Sequence, residues 1–274
     1  MPAVGSVAFF DIDGTLVYRD EKHLNGVPTP RVRAALERYV EAGGRCVLCT
    51  GRPRGLVVPE VASLPFSGYV LMDGARVELD GLVVRDVAMP PELVRGALEE
   101  MERLDLSMII ESADLNVSLD RGENWFPHVA TVRTAREVME LRPDLRFSKI
   151  VFHSHELDKF LGSAFLRENF VLYRLGDGMN EVTVEGINKG TGLHALVDAL
   201  PERPRVTYAF GDSENDLPML EAADVGVAMG NAQAHVIERV RELGGYVTDS
   251  VLEDGVATAL EHLMRSDSHA SSPN

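Results

Sequence analysis

The chain has 274 residues, enough at about 100–200 residues per domain for one large or two modest domains with real cores. Hydrophobic residues make up 45% and charged residues 26%, which excludes wholesale disorder, and two cysteines exclude a disulfide scaffold and a four-thiolate zinc site. A net charge of −16 lacks the basic footprint of a nucleic-acid or anionic-membrane binder, yet says nothing against a small anionic ligand, which answers to the local field of its pocket.

Residues 4–10 form a short apolar run that meets Asp11-Ile12-Asp13. This predicts a central parallel strand ending in acids, not a signal peptide, which would carry a basic head and a small-residue cleavage site. No apolar run nears the roughly 20 residues needed to span a bilayer, so a cytoplasmic protein, monomer or homodimer, is expected. Thr29-Pro30 opens a helical pattern (Val32, Ala35, Leu36, Tyr39, Val40) that stops at Gly43-Gly44. A buried strand over 45–49 ends at Thr50-Gly51-Arg52-Pro53, and a third apolar stretch covers 69–72. A helix between parallel strands argues for a right-handed crossover and a parallel sheet.

The texture changes after Asp73. Segments 75–79 and 82–87 flank Asp80-Gly81, a two-residue hairpin signal. There follow a helix over 90–104, strands near 107–110 and 115–119, an irregular stretch over 121–131, and a helix over 134–141. A strand over 147–152, a helix over 156–167 and strands over 170–173 and 181–184 complete the section. Hairpins mixed with helices predict an α+β insertion.

From Asn188 the earlier grammar returns. A helix over 190–200 leads to a strand over 206–210 ending in Gly211-Asp212-Ser213. A helix, a strand over 225–228, another helix, a short strand at 246–247 and a helix through Leu263 follow. The fold class is α/β, with a parallel-sheet core over 1–74 and 187–265 and an inserted α+β unit over 75–186. A polar tail over 266–274 is expected to be disordered.

Ligands of open α/β sheets bind beyond the carboxyl ends of the strands. Asp11-x-Asp13, Thr50, Lys189, Asp212 and Asp216 all fall at or near that edge. At strand spacing Asp11 and Asp13 face one side, where two carboxylates repel unless a cation lies between them. A hard ion such as Mg²⁺, shared with phosphate oxygens, fits, and Asp212 can add an oxygen. The alternative is that the two acids cap a turn. Asp216 also reads as part of a capping box with Ser213, and Thr50 as a turn cap. Lys189 begins a helix, where a cation is disfavoured by about 0.3–1 kcal/mol unless it meets an anion; an exposed, solvated lysine is the other reading.

Taken together, Asp11-Ile12-Asp13-Gly14-Thr15-Leu16, Cys49-Thr50-Gly51-Arg52-Pro53, Asn188-Lys189-Gly190-Thr191 and Gly211-Asp212-Ser213-Glu214-Asn215-Asp216-Leu217-Pro218-Met219-Leu220 resemble, in order and spacing, the four motifs of the haloacid dehalogenase superfamily. Ala228-Met229-Gly230-Asn231-Ala232, Val247-Thr248-Asp249-Ser250 and Asp254-Gly255-Val256 resemble its Cof-type branch, as does a cap inserted between motifs two and three. The resemblance implies a Rossmann-like core and a Mg²⁺-dependent phosphatase acting on a small phosphorylated metabolite, most of all a sugar phosphate. It implies Asp11 as nucleophile and Asp13 as general acid and base. The metal would be held by the Asp11 and Asp212 carboxylates and the Asp13 carbonyl. Thr50, Gly51, Lys189 and Asn215 would bind phosphate, with Asp216 and Arg52 in support. Dehalogenases need no second acid, so Asp13 argues against that chemistry, and ion pumps of related sequence carry Lys at its position. A phosphomutase keeps both acids and stays open, and a non-catalytic phospho-ligand sensor is the rival from another class. The Cof pattern has Asn-Gly after the third strand, where this chain has Asp73-Gly74; Arg52 or Arg76 are candidate partners for that carboxylate.

Three weaker signals remain. Cys46-x-x-Cys49 lies within a strand, where residues three apart face opposite sides, so a core role is expected. His153-x-His155 lacks a third ligand at suitable spacing for zinc. Trp125, Phe126 and His128 with Arg121 lie in an irregular stretch expected to pack inside the cap or to help choose the substrate.

Overall fold

The computed structural model describes residues 5–18, 26–120, 129–176 and 178–270, with side chains as far as 265. Arg121, Trp125, Phe126 and His128 lie outside the described residues. The chain divides into two compact units, Met1–Arg85 with Asn188–Asn274, and Asp86–Ile187.

The first unit opens with β1 (Ser6–Phe10), α1 (Pro30–Glu41), β2 (Arg45–Cys49), α2 (Pro59–Ala62), β3 (Phe66–Leu71), β4 (Arg76–Leu79) and β5 (Leu82–Asp86). The inserted unit holds α3 (Pro91–Arg103), β6 (Met108–Glu111), β7 (Asn116–Leu119), β8 (Ala130–Val132), α4 (Ala135–Leu141), β9 (Lys149–His153), α5 (Leu157–Gly162), α6 (Ala164–Asn169), β10 (Val171–Arg174) and β11 (Met179–Thr183). The first unit resumes with α7 (Lys189–Asp198), β12 (Val206–Gly211), α8 (Leu217–Ala222), β13 (Val225–Ala228), α9 (Ala234–Glu242), β14 (Tyr246–Val247) and α10 (Gly255–Ala270).

In the first unit one sheet runs β14-β13-β12-β1-β2-β3-β4-β5, parallel from β14 to β3. Every residue of β1 is buried, as its apolar run predicts for a strand with neighbours on both sides and cover on both faces. Phe9 packs on one face with Val47, Val70, Leu193, Leu196 and Met219. Emptying that position by Phe9→Ala would cost about 3–5 kcal/mol. Helix α1 begins as read: Pro30 is its first residue, Thr29 Oγ1 accepts from the Val32 amide (3.2 Å), and Gly43 ends it at φ 94°. Register fixes the site. Phe10 lies opposite both Leu48 and Phe210, so Asp11, Thr50 and Asp212 leave three adjacent strands at one edge.

The hairpin turn forms at Asp80 (φ 48°) and Gly81 (φ 82°), but β4 pairs antiparallel with β3 and extends the first sheet. The inserted unit therefore begins at Asp86, not residue 75. Local hairpin chemistry specifies a turn and does not say which sheet receives it.

The inserted unit has its own sheet, β10-β11-β9-β6-β7-β8, antiparallel except between β7 and β8. Helix α3 buries Val94, Ala97, Leu98 and Met101, a stripe at helical spacing. The single helix expected over 156–167 is two. Ser163 takes extended dihedrals (φ −89°, ψ 122°) and its hydroxyl accepts from the Leu166 amide, so a Gly-Ser pair ends α5 and caps α6. Helix α10 runs over Gly255–Ala270, and residues 271–274 of the expected polar tail lie outside the described residues.

Candidate active site

β1 ends at Phe10, and the chain turns at once. The Asp11 amide still donates to the Phe210 carbonyl (3.0 Å), after which the Ile12 carbonyl accepts from Thr15, Leu16 and Val17. Strand spacing therefore does not apply to Asp11 and Asp13. Asp11 is buried, whereas the Asp13 side chain keeps 38% of its surface exposed and meets Arg52 through two parallel bonds, Nε to Oδ2 (2.9 Å) and Nη2 to Oδ1 (2.7 Å). Gly14 makes the turn possible. Its φ is 82°, and a Cβ there would lie 2.1 Å from Asp212 Oδ2.

Lys189 is only 1% exposed, and the anion that its place at a helix start calls for is present. Its Nζ donates to Asp11 Oδ1 (2.7 Å) and to Asp216 Oδ1 (2.5 Å). The turn before it is fixed by a capping box in which Asn188 Oδ1 accepts from the Thr191 amide (2.9 Å). Asp216 is fully buried, and its other oxygen accepts from the amides of Asp212 (2.9 Å) and Ser213 (3.0 Å). The capping reading and the Lys189 reading of Asp216 both hold, one for each oxygen.

Thr50 Oγ1 accepts from the Arg52 amide (3.2 Å), which leaves its own proton for a further acceptor. Gly51 is buried in the same bend. Asn215 is buried, and its Nδ2 donates to Asp73 Oδ1 (3.3 Å). Asp73 accepts from Asn215; Arg52 pairs with Asp13, and Arg76 Nε lies 2.7 Å from Glu78 Oε1. Sequence reasoning gave Asn231 no role. Its Nδ2 donates to the Gly14 carbonyl (2.8 Å) and its Oδ1 accepts from the Val251 amide (2.7 Å), tying the loop after β13 to the turn after β1. The Gly-Asn-Ala motif was the available signal.

The electrostatics follow from burial. Asp11 is pushed up to about 8, chiefly by loss of water; Lys189 opposes this, and the Asp216 and Asp13 charges add to it. Asp212 is pushed up to about 9 by burial, then by Asp216 and Asp11. Burial pulls Lys189 down, but the Asp11 and Asp216 carboxylates outweigh it and hold the ammonium well above its usual range.

One carboxylate oxygen each from Asp11, Asp212 and Asp216 lies within 4.8 Å of the others. Three acids facing one ammonium leave uncompensated negative charge, and all their donors are hard oxygens, so the residues fit a small divalent cation. Asp216 already has both oxygens engaged, which favours Asp11 and Asp212 as the carboxylate ligands. The Asp13 carboxylate is committed to Arg52, so only its carbonyl would join them.

The other clusters carry no comparable chemistry. Cys46 and Cys49 are buried free thiols, and loss of water pushes both up, away from the reactive thiolate. The His153 and His155 rings stack at 5.3 Å, and among the described residues neither belongs to a cluster of metal-ligating side chains.

A strand-end aspartate held by a buried lysine, beside buried Asp216 and half-buried Asp212, defines a hydrolase of the haloacid dehalogenase type. Haloacid dehalogenase-like hydrolases match residues 8–260, and the chain belongs to this family. It is 28% identical over 259 residues to YkrA of Bacillus subtilis (strain 168), which carries a phosphatase name, covering 93% of this chain and 96% of that one. It is 28% identical to the HMP-PP phosphatase of Serratia proteamaculans (strain 568) over 278 residues, 95% of this chain and 96% of that one. Among solved structures it resembles the subclass IIB sugar phosphatase BT4131, with TM-score 0.78 and 25% identity, over 94% of this chain and 98% of that one. The chain is a phosphatase of the family. No described helix is long and apolar enough to cross a membrane.

Proposed function

We propose that the protein hydrolyses small phosphomonoesters, sugar phosphates above all, through an aspartyl-phosphate on Asp11, with Mg²⁺ as cofactor. The observation that carries this reading is Asp11 itself. Its Oδ1 is fixed by Lys189, and its Oδ2 accepts no hydrogen bond from the described residues, leaving a positioned oxygen free to attack. The sugar-phosphate class is supported by the likeness to a sugar phosphatase.

In this reading Asp11 Oδ2 attacks phosphorus and the ester P–O bond breaks. The leaving alkoxide takes a proton from Asp13, which must first part from Arg52. Water then attacks the aspartyl-phosphate and gives its proton to Asp13; the bond from phosphorus to Asp11 breaks and phosphate departs. Lys189, the Thr50 hydroxyl and Asn215 are assigned to the phosphoryl oxygens, and Asp216 keeps Lys189 in place. Mg²⁺, held by Asp11, Asp212 and the Asp13 carbonyl, would supply charge neutralisation to the phosphoryl group. The choice among substrates is assigned to the inserted unit, residues 86–187.

The test is phosphate release from an aryl phosphate, with Mg²⁺ and with chelator, by the native protein and by Asp11→Asn. Metal-dependent release that is lost in the variant supports the reading. Release that survives the substitution removes Asp11 as nucleophile.

A further inference from the structure

Three sequence motifs have no part in this mechanism: Ala228-Met229-Gly230-Asn231-Ala232, Val247-Thr248-Asp249-Ser250 and Asp254-Gly255-Val256. In the fold they knit into one brace. Thr248 donates its amide to the Ala228 carbonyl (3.0 Å) and its hydroxyl to the Gly255 carbonyl (2.7 Å), and the Gly230 amide donates to the Asp249 carbonyl (3.0 Å). Gly230 lets these loops touch, since a Cβ there would lie 2.8 Å from the Ser250 nitrogen. The brace ends on the two segments to which the metal is assigned. The Gln233 amide donates to the Asp212 carbonyl (2.9 Å), and Asn231 Nδ2 donates to the Gly14 carbonyl (2.8 Å) while its Oδ1 accepts from the Val251 amide (2.7 Å).

Gly14 joins two peptide planes. In the first, the Asp13 carbonyl and the Gly14 N–H point in opposite directions, and that N–H donates to the Val17 carbonyl (2.8 Å), so the Asp13 carbonyl faces away from Val17. In the second, Asn231 holds the Gly14 carbonyl. A glycine at φ 82° rotates more freely than any other residue, so anchoring one of its peptides does not fix the other. Asn231 is itself exposed and fills no core, and both ends of its amide are spent on backbone. We infer that Asn231 is a positioning residue for the metal: by holding the far side of Gly14 it sets the Asp13 carbonyl for Mg²⁺. The inference rests on the metal assignment above.

Mg²⁺ is titrated calorimetrically into the native protein, Asn231→Ala and Asn231→Asp, and the thermal unfolding of each is followed in chelator. Groups that orient metal ligands are typically worth about 10–100-fold in metal affinity. The expected result is a Kd for Mg²⁺ raised by about that factor in Asn231→Ala, with an unfolding midpoint in chelator close to that of the native protein. A lowered midpoint with an unchanged Kd is the mark of a merely structural role and overturns the inference. Asn231→Asp keeps the oxygen that accepts from Val251 but has no N–H for Gly14, and its added negative charge by itself would tighten a cation. Weaker Mg²⁺ binding by this variant assigns the effect to the Gly14 bond. Native-like or tighter binding by Asn231→Asp overturns the inference, even should Asn231→Ala fail to fold, and leaves the phosphatase reading standing. A native protein that neither binds Mg²⁺ nor releases phosphate overturns the reading of the site, and the inference with it.

Discussion

Replacing Lys189 with Met leaves two buried carboxylates, Asp11 and Asp216, without the ammonium that both contact. The methionine fills much of the volume, so the loss is electrostatic. Removing one partner of a buried ion pair costs about 3–5 kcal/mol, because the remaining charge stays in a poorly solvated place. For folding units of this size, each kcal/mol shifts the unfolding midpoint by roughly 2–4 °C, so a fall of about 6–20 °C is expected in chelator. The pH dependence has a definite sign. Folding raises Asp11 from 3.8 to about 8, so its share of stability is full below its unfolded value and is lost as pH rises through about 8. Lys189 opposes that rise, so without it Asp11 moves higher still, and the penalty for ionising it in the fold grows. The gap between native protein and variant is therefore larger at pH 8.5 than at pH 5.5. Thermal unfolding at the two pH values measures it. A variant as stable as the native protein, or a gap that does not change with pH, would refute the argument.

Two further predictions follow from the same geometry. Because burial and mutual repulsion raise Asp11 and Asp212 to about 8 and about 9, the metal-free protein loses stability as pH rises toward those values, by about 1.4 kcal/mol per pH unit for each proton held only in the fold. Added Mg²⁺ displaces those protons, so the rise in midpoint that it causes is larger at pH 8.5 than at pH 6.5, and calorimetry in buffers of different ionisation enthalpy should register proton release. Asp13→Asn removes the proton donor to the leaving group, which is worth about 10²–10⁴ in rate for an alkyl phosphate. An aryl phosphate with an acidic phenol needs that proton less and should lose less, so equal losses on the two substrates would count against Asp13 as general acid.

The parallel core was legible because its strands are continuous apolar runs, the pattern of a strand covered on both faces, and because each ends in a polar cluster at one edge. What the sequence hid is tertiary. The hairpin at 76–86 has unambiguous turn residues, yet its partner strand is a matter of topology. Ser163 is a helix cap only because the backbone turns there, and a Ser within an apolar periodic stretch does not announce it. Lys149 is buried in the inserted unit between Glu181 (2.5 Å) and Glu111 (3.4 Å), residues far apart in sequence that three strands bring together. At the site itself the residue types were readable and the pairings were not. That Arg52 takes Asp13, and Asn215 takes Asp73 across 142 residues, follows from loops whose paths no local rule supplies.

The central claim is a covalent intermediate on Asp11. The most direct test is to mix the native protein with Mg²⁺ and an aryl phosphate, quench in acid during turnover, and locate any added phosphoryl group by peptide mass spectrometry. The account predicts a hydroxylamine-labile phosphoryl group on Asp11, absent from Asp11→Asn. A turning-over protein that carries the group on another residue, or that never carries one, would contradict it.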